Sequence, residues 1–167
     1  MITLKNIEMT LDRESIENAI KAVEDLENDL GKAMTHLIEE LTIKGVEFAR
    51  MEIVMFDKPA VDSGALMDSI APAMLNDREG VVTTGVMYAA FVEYGTGVVG
   101  AEEPHPEPNG YHYDINGHGW DGWVYGYNGT FHRTYGMPAR PFMYGTLRDL
   151  ETFAEQNGGR IIAEYIP

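Results

Sequence analysis

The sequence contains no cysteine, so neither a disulfide framework nor a thiolate metal site can form. It also lacks an uninterrupted apolar run of about 18 residues, the length that would suggest a membrane span. Basic residues are scarce: 12 Lys and Arg stand against 27 Asp and Glu, for a formal net charge of −15. A surface this negative repels phosphate backbones, which argues against direct nucleic-acid binding. The opening Met1-Ile2-Thr3-Leu4-Lys5 shows no signal-peptide pattern. We therefore expect a protein made and used inside a cell, or in a particle assembled there, without membrane contact.

Recognisable catalytic patterns are missing too. There is no Gly-x-x-x-x-Gly-Lys, and Gly95-Thr96-Gly97 runs into Val98-Val99-Gly100 rather than a lysine-bearing helix start. No Gly-x-Ser-x-Gly elbow occurs, and Ser63 and Ser69 beside Asp62 and Asp68 read as ordinary caps. His105, His112, His118 and His132 fall within one segment, with Asp114 and Asp121 nearby. Their gaps do not match the spacing that places two ligands on one helix face. The expectation is no catalysis, no metal and no cofactor.

What is present fits a folded domain: 167 residues, of which 44% are hydrophobic, suffice for one real core. Residues 2–9 alternate loosely, as a short strand or arm would. Asp12 is placed to cap a helix carrying Ile16, Ile20, Val23 and Leu30 at helical spacing. Gly31 then reads as a C-cap or hinge before a second helix over about 32–55, with Met34, Leu37, Ile38, Leu41, Phe48 and Met55 along one stripe. Residues 1–57 hold 13 acids and 6 bases, as a solvated helix face or as a wall towards DNA or a basic partner.

Asp57-Lys58-Pro59 ends this helical stretch, and Asp62 can cap a turn through Ser63, Gly64, Ala65 and Leu66. Strands over 69–75 and 81–86, joined by Asn76–Gly80, predict a hairpin. Residues 84–97 form a glycine-framed apolar block in which Tyr88, Phe91, Val92 and Tyr94 make a compact, largely buried turn of helix or a short strand. Glu93 within it and Arg140 further on are lone charges in apolar company. Their pairing is one economical arrangement; reaching solvent or a neighbouring subunit is the other.

Residues 98–136 are rich in glycine and carry both tryptophans, Trp120 and Trp123. Trp123-Val124-Tyr125 and Thr130-Phe131-His132 flank a turn and predict a second hairpin within a projecting insertion arm. Residues 142–156 return to helical periodicity, with Gly158-Gly159 as the stop and 160–167 as a final strand or tail.

Three blocks occur in order: Asp62-Ser63-Gly64-Ala65-Leu66, then Tyr88-Ala89-Ala90-Phe91-Val92-Glu93-Tyr94-Gly95-Thr96-Gly97, then Pro138-Ala139-Arg140-Pro141-Phe142. Together they resemble the gene-product-ten-like phage tail-component family, over most of residues 13–157. Ser63 replaces that family's usual threonine, and the long 98–136 segment departs from its spacing. The resemblance implies an α+β domain: a long N-terminal helix packed on a small antiparallel sheet, with a C-terminal helix. It further implies a structural virion protein at the head–tail junction (neck or tail completion). Such a protein would assemble as a homo-oligomeric ring and contact other phage neck and tail proteins. The site residues it singles out are interaction residues: Asp62, Gly64, Tyr88, Phe91, Glu93, Tyr94, Gly95, Gly97, Arg140, Pro141 and Phe142, joined by Trp120 and Trp123 of the arm. Two rivals stand beside it: a glycan-binding module using the arm's aromatic residues, and a histidine-dependent metallohydrolase.

Overall fold

A computed structural model describes residues 10–56, 64–112 and 120–166. The expected strand at 2–9, the capping role of Asp62 and Ser63, and the positions of Asp114 and His118 lie outside these residues. The fold is α+β, with two small antiparallel two-stranded sheets.

Helix α1 (Arg13–Met55) opens where Asp12 was expected to cap it. The Ser15 amide donates to Asp12 Oδ1 at 2.9 Å, and the Thr10 hydroxyl donates to Oδ2. These donors, Thr10 first, hold the Asp12 carboxyl below its ordinary range. The helix runs unbroken through Gly31, which is neither cap nor hinge. A C-cap glycine takes positive φ; Gly31 does not. The cost of one helical glycine, about 1 kcal/mol, is small beside the cooperativity of a 43-residue helix.

α2 (Ala65–Ser69) follows the left-handed Gly64 (φ 80°) and leads into β1 (Ile70–Asn76). The Arg50 guanidinium donates to the carbonyls of Met67 and Ile70 at 3.2 and 3.1 Å, satisfying acceptors that the short helix leaves open. A turn at Asp77–Arg78 returns the chain as β2 (Glu79–Thr84), so the first hairpin is as expected. Then come α3 (Ala89–Tyr94), α4 (Gly97–Glu102), β3 (Trp123–Tyr127), β4 (Thr130–Thr134), the short β5 (Gly136–Met137) and α5 (Phe142–Ala163). Gly158 and Gly159 do not stop α5, and among the described residues no strand follows it. Both lack the positive φ that a helix-ending glycine adopts.

The chain divides into two compact units. One comprises Met1–Gly45, Pro72–Val82 and Asp149–Pro167. Its close packing depends on two glycines. A Cβ on Gly45 would stand 2.6 Å from Val82, and one on Gly80 would collide with the Thr42 hydroxyl. Ala33 and Ile161 are buried here, and the His36 and Tyr165 rings meet at 4.8 Å.

The other unit comprises Val46–Ala71 and Thr83–Arg148. Its buried set is Val46, Ala49, Ile53, Leu66, Ile70, Ala89, Val92 and Phe142. α1 therefore buries small residues (Ala33, Gly45 and Ala49) where the periodicity favours Met34 and Met55, both of which are exposed. At Gly45 the reason is direct, since Val82 of β2 comes too close for a larger side chain.

Candidate functional site

Two features of the second unit concern function: a buried knot around Glu93 and an uncovered aromatic hairpin. α3 is one short turn, and its 100° step per residue points Ala89, Val92 and Glu93 inward. Tyr88 and Phe91 consequently face outward and are exposed, correcting the expectation that they are largely buried; Tyr94 is half-buried.

Glu93 does not pair with Arg140. Its Oε1 accepts from His105 Nε2 at 3.0 Å and from the Tyr144 amide at 3.0 Å, and its Oε2 accepts from the Met143 amide at 2.8 Å. Pro141 O accepts the first helical hydrogen bond of α5, from Gly145 N, which makes Met143 and Tyr144 the two amides that a cap side chain would serve. Pro141 has no side chain able to do so. Glu93 supplies the carboxylate from 50 residues upstream, where the helix dipole also favours negative charge. Arg140 is held through its backbone, its amide donating to Val92 O at 2.8 Å.

His105 is buried beside this carboxylate. The Glu107 amide donates to its Nδ1 at 2.9 Å, so in the neutral ring the proton sits on Nε2 and points at Glu93. Tyr94 lies 4.7 Å from the imidazole, Tyr144 meets it edge-on at 5.4 Å, and Tyr111 stacks on Tyr94 at 4.7 Å. The Arg148 guanidinium covers the Tyr144 ring at 5.3 Å and stands 3.9 Å from Glu107. Every buried acceptor of Glu93 thus has a donor, and the arrangement is that of a structural clamp.

The glycines that end the second motif block meet the backbone just before the third around the same clamp. Thr96 bridges Met137 and Gly97 bridges Gly136, and the Val99 amide donates to Tyr135 O at 3.2 Å. Gly95, Gly97 and Gly136 all have positive φ, at 79°, 61° and 105°. A Cβ on Gly95 would lie 2.7 Å from Ala139 N, and one on Gly136 would collide with Thr96 O. The Tyr111 hydroxyl donates to Gly95 O at 3.0 Å.

Of the 98–136 segment, the stretch from α4 through His105 to Tyr111 is built into this unit. The second half forms the expected hairpin, with its turn at Asn128–Gly129, where φ is 49° and 76°. Val124 faces Arg133 and Gly126 faces Phe131 on one side; Tyr125 faces His132 and Tyr127 faces Thr130 on the other. The second side is partly self-satisfied, with Tyr125 and Tyr127 rings 5.6 and 6.5 Å from His132. On the first side Phe131 is 82% exposed and Val124 55%. Trp120 precedes the hairpin at 72% exposed, whereas Trp123 is half-buried against Gly97.

His112 and His132 are exposed and His105 is consumed by the clamp, and among the described residues no three His, Asp or Glu side chains are gathered as a metal set. Phe142, singled out from sequence, is a core residue. His105 as the partner of Glu93 was missed; the only signal for it was that a lone carboxylate in an apolar run requires a donor. No family model, curated protein or solved structure matches this chain.

Proposed function

We propose that this chain is a structural subunit of a tailed phage or prophage particle. Its place is the head–tail junction, where it assembles as a homo-oligomeric ring and joins other neck and tail proteins. The observation that carries the reading is the meeting of the second and third motif blocks. The Arg140 amide donates to Val92 O at 2.8 Å, Gly95 lies against the Ala139 backbone, and Glu93 clamps the start of α5 directly after the third block. Glu93, Gly95 and Gly97 among the residues behind the resemblance fix backbone and helix, a role suited to an assembly part, while Tyr88 and Phe91 face outward. The uncovered hairpin beside them supplies a surface for neighbours, since tyrosine, tryptophan and phenylalanine are enriched at interfaces.

The test is removal of the chain from the phage or prophage that encodes it, followed by electron microscopy of the particles. The expected result is filled heads and separate tails; intact, infectious particles would overturn the reading.

A further inference from the structure

Among the described residues two apolar surfaces are exposed, and they differ in charge. The first is the N-terminal stretch of α1, where Ile20 is 54% and Val23 53% exposed. Glu24 and Glu27, both exposed, stand one helical turn on from them, and Arg13–Lys32 holds six acids against three bases. The second is the Val124–Phe131 side of the β3–β4 hairpin, which carries Arg133. No Asp or Glu occurs anywhere in residues 122–148, a gap that stands out in a chain of net charge −15. A two-stranded hairpin with an apolar outer side is at best marginally stable in water, and it gains from a cover.

We infer that the Val124–Phe131–Arg133 side of one copy's hairpin docks on the Ile20–Val23 stripe of a second copy's α1, with Arg133 facing Glu24 and Glu27. A surface that is apolar and acidic together complements this side, where the exposed Arg133 guanidinium also donates to Asp121 O at 3.2 Å, and α1 of another copy is both. Apolar burial holds the contact, and charge selects its orientation. Because hairpin meets helix, the contact is heterologous: the copy that gives its hairpin keeps its helix free and the copy that gives its helix keeps its hairpin free, so the pair can add further neighbours at both ends, as ring growth requires. The proposal rests on the ring-subunit reading and names its surfaces.

The experiment uses two full-length variants, Val124→Ser with Phe131→Ser and Ile20→Ser with Val23→Ser, checked by circular dichroism melting and followed by sedimentation velocity. Each alone should self-associate at least about thirtyfold more weakly than the wild type, the size of a lost hot spot. An equimolar mixture should regain a 1:1 species and stop there, because only one intact pair of surfaces remains. A mixture that stays monomeric overturns the pairing, as does a wild-type chain that never self-associates. Should a serine variant not fold, charge exchange replaces it: Arg133→Glu should weaken association, and Glu24→Lys with Glu27→Lys in the partner should restore it. Absence of restoration contradicts the pairing. Incorporation into particles is read separately. Normal particles without this chain, alongside a successful mixture, would remove the virion reading and leave the contact standing.

Discussion

Glu93 shows how one side chain ties distant sequence together. Its two oxygens serve two helix amides and an imidazole, so Glu93→Gln leaves one donor without an acceptor. A buried unmet donor costs about 1–3 kcal/mol, which urea unfolding should register as a lower midpoint. A double-mutant cycle of Glu93→Gln with Arg140→Met should give a coupling within about 0.3 kcal/mol of zero, and the cycle with His105→Ala a clearly larger one. At the other end of the chain Asp12 behaves as an exposed cap. Its folded pKa is lowered, so its contribution is present above the unfolded carboxylate value and fades as pH falls through the folded one. The difference in thermal midpoint between wild type and Asp12→Ala should therefore be larger at pH 7 than near pH 3. The sequence showed that Asp12 would cap, and left Glu93 either paired with Arg140 or reaching solvent or a neighbour. His105 was not singled out as its partner, because nothing in one dimension links the two and the fold of α4 brings the imidazole in.

At the scale of elements, glycine divides into two kinds that composition cannot separate. Gly31 and Gly159 have helical φ and no atom within 4 Å of a built Cβ, so Gly→Ala there should stabilise by about 0.5–1 kcal/mol. Gly136 has φ 105° with Thr96 O against it, so Gly136→Ala should destabilise by about 2 kcal/mol or more. Thermal melts of the three variants should move in opposite directions accordingly. The Asn128-Gly129 turn was legible because a two-residue turn with positive φ has a sequence signature. The continuity of α1 and α5 was not, since a glycine stops a helix only when the following chain leaves it. Replacing Tyr125–His132 by a short Gly/Ser turn should leave the thermal midpoint within a few degrees of wild type, because this stretch adds nothing to the buried set. Collapse of the fold would mean that the hairpin is core.

At the scale of the whole molecule, charge sets the sign of the decisive test. Copies carrying −15 each repel one another over a Debye length of about 8 Å at physiological salt. The few complementary groups at the hairpin contribute little, as exposed ion pairs are worth about 0–1 kcal/mol. If apolar surface drives this chain to assemble with itself, through the hairpin and the Ile20–Val23 stripe of α1, salt and charge act in opposite senses on the contact. Salt removes the repulsion and leaves apolar burial intact or strengthened. The measurement is sedimentation velocity of the purified chain as salt rises from about 0.05 to about 1 M, across which the Debye length falls several-fold. Larger species should form at higher salt; oligomers that dissociate as salt rises, or a monomer throughout, would rule out assembly driven by apolar surface.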